Sequence, residues 1–109
     1  MSTPNLPAVI PETRDETRSS LEPLFHLILL DDNDHSYEYV VRMLGDLFGY
    51  GPEKAFALAR LVDTTGRVIV ETTSHERALA DQQRIHRYGP DPLLRQSRGS
   101  MSAVVEPVP

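Results

Sequence analysis

The densest group of side chains able to do chemistry is Asp31-Asp32-Asn33-Asp34-His35-Ser36, which packs carboxylates, an amide, an imidazole and a hydroxyl into one short stretch. Converging carboxylates offer charge-assisted hydrogen bonds to a cation, above all to an ammonium group leaving bulk water. The same residue types also hydrogen-bond nearby backbone donors, so a plain turn and helix cap is the competing reading. A calcium loop of the EF-hand kind is not spelled out, because the stretch lacks both the central glycine and the distal glutamate. Ser36 beside His35 and Asp34 does not make a hydrolytic triad: neighbours in sequence rarely meet in the required geometry, and no nucleophile-elbow motif is present. His26, His35, His75 and His86 include no His-x-x-x-His pair. No catalytic residue, metal site or cofactor is therefore expected.

The elements that must position this cluster are readable from periodicity. Leu24 to Leu30 is a short, mostly apolar run that ends abruptly in polar residues, as a buried strand does on reaching the surface. A helix from Tyr37 to Phe48 follows, with Val40, Val41, Leu44, Leu47 and Phe48 at three- and four-residue steps. Gly49-Tyr50-Gly51-Pro52 stops it, and Pro52 suits the first turn of a second helix reaching about Val62, whose buried face is Ala55, Phe56, Ala59 and Val62. Beyond Gly66, the β-branched run Arg67 to Thr73 reads as a second strand. Ser74 caps a third helix, His75 to about Tyr88, that carries Ala78, Leu79, Gln82 and Ile85 on one side. After Gly89-Pro90-Asp91-Pro92, the segment Leu93-Leu94-Arg95 is expected to close the sheet, giving the order β-α-α-β-α-β.

That order fits many folds, and local residues narrow it. Leu30-Asp31-Asp32-Asn33 followed by Tyr37-Glu38-Tyr39-Val40 resembles the signature of the ClpS adaptor family, in which an apolar strand runs into an Asn-Asp-Asp cluster and then a helix starting Met-Glu-Phe-Val. The spacing matches without a gap. Phe48-Gly49-Tyr50 resembles the family's Phe-Ser-Tyr, while Val62, Gly66 and Arg67 fall where it has Val-His-x-x-Gly-Lys. Leu93-Leu94 after Pro92 resembles its late Pro-Leu-Leu. The likeness spans residues 24 to 96.

The resemblance implies an α+β fold in one small domain, a three-stranded antiparallel sheet packed against three helices, similar to the C-terminal domain of ribosomal L7/L12. It implies a non-enzymatic adaptor that binds the first residue of a protein substrate (its N-degron) and delivers it to the AAA+ unfoldase of a Clp protease, ClpA- or ClpC-like. By the same resemblance Asp31, Asp32 and Asp63 would hold the free amine. Asn33, His35, Tyr37, Val40, Ala59, Val62 and Leu94 would form the pocket, and Glu76 and Asp81 would belong to the protease-docking surface. The chain departs from the pattern at the recognition residues themselves. Asp31 replaces the amine-binding Asn, Asn33 the second Asp, Asp63 the amine-contacting His, Tyr37 the gatekeeper Met, and Asp81 a docking Lys. A module that keeps the fold but has lost N-degron recognition is the alternative.

With 109 residues the chain has room for one domain, expected over residues 21–97 between a flexible arm at 1–20 and a flexible tail at 98–109, both proline-containing. A net charge of −5 with scattered arginines disfavours nucleic acid as a partner and favours positively charged ones. No run is long and apolar enough to span a bilayer, and the N-terminal stretch lacks the pattern of a secretory signal. The absence of cysteine is compatible with a reducing compartment, so a cytoplasmic location is expected.

Overall fold

A computed structural model of the chain describes residues 22–109, and the arm expected over residues 1–20 lies outside them. The elements are β1 (Leu24–Leu30), α1 (Tyr37–Phe48), α2 (Pro52–Thr65), β2 (Arg67–Ser74), α3 (His75–His86) and β3 (Ala103–Pro107). The sheet order is β2-β1-β3 with both pairings antiparallel, so the expected α+β architecture and element order are found.

Local chemistry sets the boundaries. Ser36 caps α1 by accepting the Tyr39 amide hydrogen at 3.1 Å, satisfying one of the donors a helix start leaves free. Pro52 opens α2, and Gly66 closes it at φ 91°, a left-handed conformation that costs a residue with a Cβ far more than glycine. Ala55 and Ala59, both buried on α2, let it lie close against α1.

The core forms where Leu27 and Leu29 of β1 meet Tyr39, Val40, Met43 and Leu44 of α1, Val62 of α2, Val68 and Val70 of β2, and Ile85 of α3. Fully burying one such aliphatic side chain contributes about 1.5–3 kcal/mol relative to leaving it exposed. The buried stripe of α1 is Tyr39, Val40, Met43 and Leu44, slightly rotated from the one expected, so Val41, Leu47 and Phe48 pack only at its margin. Phe56 and Leu79, expected inside, are exposed.

The third strand is not where the sequence reading put it. Leu93-Leu94-Arg95 lies in consecutive turns, with the Leu94 amide donating to the Asp91 carbonyl and the Ser97 amide to the Leu94 carbonyl. Asp91 is buried and its Oδ1 accepts the Leu93 amide at 2.9 Å, so this backbone is committed to a turn and cannot join a ladder. The expected tail supplies the strand instead: Ala103–Pro107 pairs with Leu29 back to Phe25. Met101 and Ala103 are buried at 2% and 3% exposure, the alternation of a strand with one face inward.

A chain ending after Ser100 should therefore lose its cooperative thermal transition, because it forfeits a β1 ladder and two core residues. Circular dichroism melting checks this, and a truncated chain with an undiminished transition would mean that 101–109 is a tail after all.

Candidate functional site

The exit of β1 is pinned on several sides. The Asp31 amide donates to the Gly66 carbonyl at 3.0 Å, which fastens the acidic loop beside the C-terminus of α2. The Ser36 amide donates to Asp91 Oδ2 at 2.6 Å. Burial alone would raise the Asp91 pKa, but the amides of Ser36 and Leu93 outweigh it and leave that carboxyl below the usual range. Inside the loop, Asp32 Oδ1 accepts the Asp34 amide at 2.9 Å and sits 2.8 Å from His35 Nδ1. His35 Nε2 lies 2.7 Å from the Gly99 carbonyl, which can only accept, so that nitrogen donates. The imidazole, with 4% of its side chain exposed, thus joins Asp32 to the segment before β3.

These ties enclose a cavity of about 190 Å³ lined by Asp31, Asp32, Asn33, His35, Ser36, Tyr37, Val40, Ala59, Val62, Asp63 and Met101. Its inner wall is apolar, with Val40, Ala59, Val62 and Met101 all buried. Its mouth is acidic. Burial first, then the charges of Asp63 and Asp32, raise the Asp31 pKa above the ordinary carboxylate value; a cation placed there would relieve the repulsion. Tyr37 spans the rim, donating from its hydroxyl to Asp63 Oδ2 at 2.6 Å and packing its ring 5.4 Å from that of Phe56. This bond, followed by burial and the Asp63 charge, raises the phenol pKa, so Tyr37 remains a neutral donor. Phe56 is exposed because it backs this rim rather than the core.

The structure thus brings together nine of the ten residues expected at the pocket. Leu94 is not among its lining: the turns after Asp91 carry that residue elsewhere, and Met101 reaches the wall instead. The alternation Met101-Ser102-Ala103-Val104-Val105 is the sequence signal that would have found it. Ser36 also lines the cavity, in addition to capping α1. A larger groove of about 670 Å³ lies over Ile28 and Ile69, but it gathers no comparable cluster of acceptors. Among the described residues no three His, Asp or Glu side chains are placed to hold a metal ion.

The two docking residues part company. Glu76 is exposed in the first turn of α3, whereas Asp81 is 1% exposed. Its carboxylate accepts from Arg77 Nε at 3.0 Å and Arg84 Nη1 at 3.0 Å, so it is not part of any outer surface. Beneath it, Glu71 Oε2 is buried without a hydrogen-bond donor. Burial, then a hydrogen bond shared with Asp81 and the charge of Asp81, push Glu71 up to about 7. Below that pH Glu71 keeps its proton and can donate it to the Asp81 carboxylate. Asp81 is the ionised partner: burial opposes this, but the bonds from Glu71, Arg84 and Arg77 hold it low.

Together these features define a small α+β domain with an acidic-mouthed, apolar-walled cavity. Residues 20–93 match the sequence model of the family described as ATP-dependent Clp protease adaptor protein ClpS. The chain belongs to the ClpS family of Clp protease adaptor proteins. Its fold is similar to that of Agrobacterium tumefaciens ClpS2 bound to L-phenylalaninamide, with a TM-score of 0.69 at 16% identity, covering 79% of this chain and 98% of that one. The chain is also 34% identical over 71 residues, 62% of its length, to a Nitrosococcus oceani protein called bifunctional protein PyrR. It spans about 40% of that curated relative. No helix among the described residues is long and apolar enough to cross a membrane.

Because the folded Glu71 pKa is raised from 4.5 to about 7, the fold keeps a proton that the unfolded chain has already released in that window. The stability from this group is complete below about pH 4.5 and is lost as pH rises through 7. Glu71→Gln, which cannot ionise, should match the wild type near pH 5 and exceed its stability by about 1–2 kcal/mol at pH 8. Urea titrations at the two pH values check this, and a Gln variant less stable by the same margin at both would contradict it.

Proposed function

We propose that this chain binds the free N-terminal residue of protein substrates in the cavity at the β1 exit and delivers those substrates to a Clp AAA+ protease. The observation that carries the reading is the cavity's division into a mouth bearing Asp31, Asp32 and Asp63 and a wall of Val40, Ala59, Val62 and Met101. An α-ammonium is a point charge beside the first side chain of a peptide, so the two halves of the cavity fit the two halves of an N-terminal residue. Charged hydrogen bonds contribute about 1.5–3 kcal/mol each, more than neutral ones. L-phenylalaninamide, the ligand of the Agrobacterium tumefaciens structure, has the same two halves, which supports the reading by analogy.

Asp32 and Asp63 play unlike parts. Asp32, ordered by the Asp34 amide and His35, offers a prearranged acceptor with little left to immobilise on binding. Asp63 already accepts the Tyr37 hydroxyl, and an ammonium must share or displace it. That bond is also what favours the second reading, a ClpS-fold interaction module whose amine site is closed by its own tyrosine. In the first reading Tyr37 is a rim that selects among large side chains; in the second it is a permanent stopper. A cytoplasmic site of action goes with either.

Fluorescence polarisation with labelled peptides beginning Leu, Phe, Tyr or Trp, each beside its N-acetylated twin, separates the two. The free peptides should bind about 10- to 100-fold more tightly than their twins, the factor that one charged hydrogen bond contributes. Asp63→Asn should weaken them, and Tyr37→Phe should not. Twins that bind equally well contradict N-terminal recognition; free-amine preference that appears only in Tyr37→Phe establishes the stopper.

A further inference from the structure

Tyr37 stands as a wall between two hollows. On one side lies the cavity whose mouth carries Asp31, Asp32 and Asp63. On the other, the Tyr37 ring packs 5.4 Å from that of Phe56, which helps to line a second, shallow hollow of about 350 Å³ along the outer face of α2. Its apolar lining is Phe56, Ala57 and Leu61, and Arg60 brings a cation into it. Phe56, Arg60 and Asp63 are spaced by four and then three residues on α2, so they share one side of the helix, with Arg60 about one turn from Asp63. Phe56 and Arg60 are both exposed, and neither is spent on the core. The Asp63 hydrogen bond, then burial and the nearby carboxylates, raise the Tyr37 pKa while the Arg60 charge opposes them, so that guanidinium acts on the same phenol as the acidic mouth does. Charge therefore changes sign across the Tyr37 ring, from three carboxylates to one arginine.

We infer that the hollow beside Phe56 is a subsite for the second residue of the bound peptide and that it selects an acidic side chain, Asp or Glu, through Arg60. The inference rests on N-terminal recognition in the cavity and specifies the substrate class of that site. In an extended peptide successive side chains point to opposite sides and advance about 3.4 Å per residue. A peptide whose ammonium sits at Asp63 and whose first side chain enters the cavity therefore turns its second side chain outward, about one helical turn away, toward Arg60. Glu53, two turns nearer the start of α2, makes only the far end of the hollow unfavourable to a carboxylate. The Tyr37 hydroxyl gains a new acceptor in this arrangement. Without ligand it donates to Asp63 Oδ2. A carboxylate held by Arg60 takes that hydrogen bond instead, and Asp63 is released to the ammonium with no donor left unpaired. An acidic second residue thus opens the site that the tyrosine otherwise closes. Lysine has no acceptor with which to do so, and the neutral amide of glutamine is a weaker one.

The test uses the full chain with labelled peptides that begin Phe-Glu, Phe-Gln and Phe-Lys and are otherwise identical, each beside its N-acetylated twin. Arg60→Gln, Arg60→Glu and Tyr37→Phe, each first shown to melt cooperatively, are compared with the wild type. At low salt the wild type should bind Phe-Glu about three- to tenfold more tightly than Phe-Gln and should bind Phe-Lys least, with the differences shrinking as salt is raised. A net charge of −5 and an acidic mouth would by themselves give the opposite order. Arg60→Gln should abolish the advantage of Phe-Glu, and Arg60→Glu should reverse the order in favour of Phe-Lys. Tyr37→Phe should tighten Phe-Gln and so narrow the gap from below, a change that attraction to Arg60 alone would not produce. Free-amine peptides that are preferred over their twins yet bind alike whatever the second residue overturn the subsite and leave the cavity reading standing. An advantage of Phe-Glu that persists in Arg60→Gln overturns it as well. Twins that bind as tightly as the free peptides contradict the cavity reading itself, and the subsite falls with it.

Discussion

Everything proposed for the cavity depends on a loop of like-charged residues being held still at the end of β1. Left to itself, the acidic loop would splay, since repulsion between carboxylates and solvation by water both favour dispersal. The fold prevents this with hydrogen bonds that cost no further charge. The Asp31 amide is fixed to the turn after α2, the Ser36 amide to Asp91, and His35 to the segment before β3. The loop is thereby clamped by three distant parts of the sequence, and Asp63 is delivered to the opposite rim by the helix whose end that first bond secures. Ser36 serves the loop and α1 at once, its amide held by Asp91 while its hydroxyl caps the helix.

The molecule treats its two acidic clusters in opposite ways. At the cavity mouth, carboxylates stay accessible, and burial first, then the charges of Asp63 and Asp32, raise the proton affinity of Asp31; a bound cation relieves the repulsive part. Under α3, Asp81 is buried beside a partly buried Glu71, and their repulsion is relieved within the chain by the proton that Glu71 holds up to about pH 7 and by two arginines. Because the Arg77 and Arg84 side chains are largely exposed, solvent screens these ion pairs and they add little to stability. Their effect here is positional: they fix what α3 displays. One cluster is therefore open to a ligand and the other is closed, although both read simply as acidic residues in the sequence.

Much of the architecture was legible because its signals are local. Ser36, Gly49, Pro52, Gly66 and Ser74 punctuate the chain where their backbone chemistry requires, and the helices begin and end within a few residues of those marks. The pocket residues on the β1 exit, α1 and α2 were legible through the resemblance to the ClpS pattern, because the helical spacing of Val40, Ala59 and Val62 describes ordinary core positions equally well. What failed was non-local. Leu93-Leu94 is a stronger apolar signal than Ala103-Val104-Val105, and only the burial of Asp91, with its bonds to two amides, shows that the leucines are spent on a turn. With the third strand misplaced, Met101 was missed as a wall residue. The burial of Asp81 was partly readable, because arginines four before and three after it on one helix are within reach. Glu71 beneath it comes from another strand, and no spacing announces it.

The central claim is that one cavity takes a free α-amine at its acidic mouth. It is tested most directly by following backbone amide resonances of the isotopically labelled chain while L-phenylalaninamide and its N-acetylated form are added in turn. The account predicts saturable shifts confined to residues 31–37, Val40, Ala59 to Asp63 and Met101 with the free amine, and none with the acetylated compound. Shifts that are identical for both compounds, or that fall instead on the groove over Ile28 and Ile69, would contradict it.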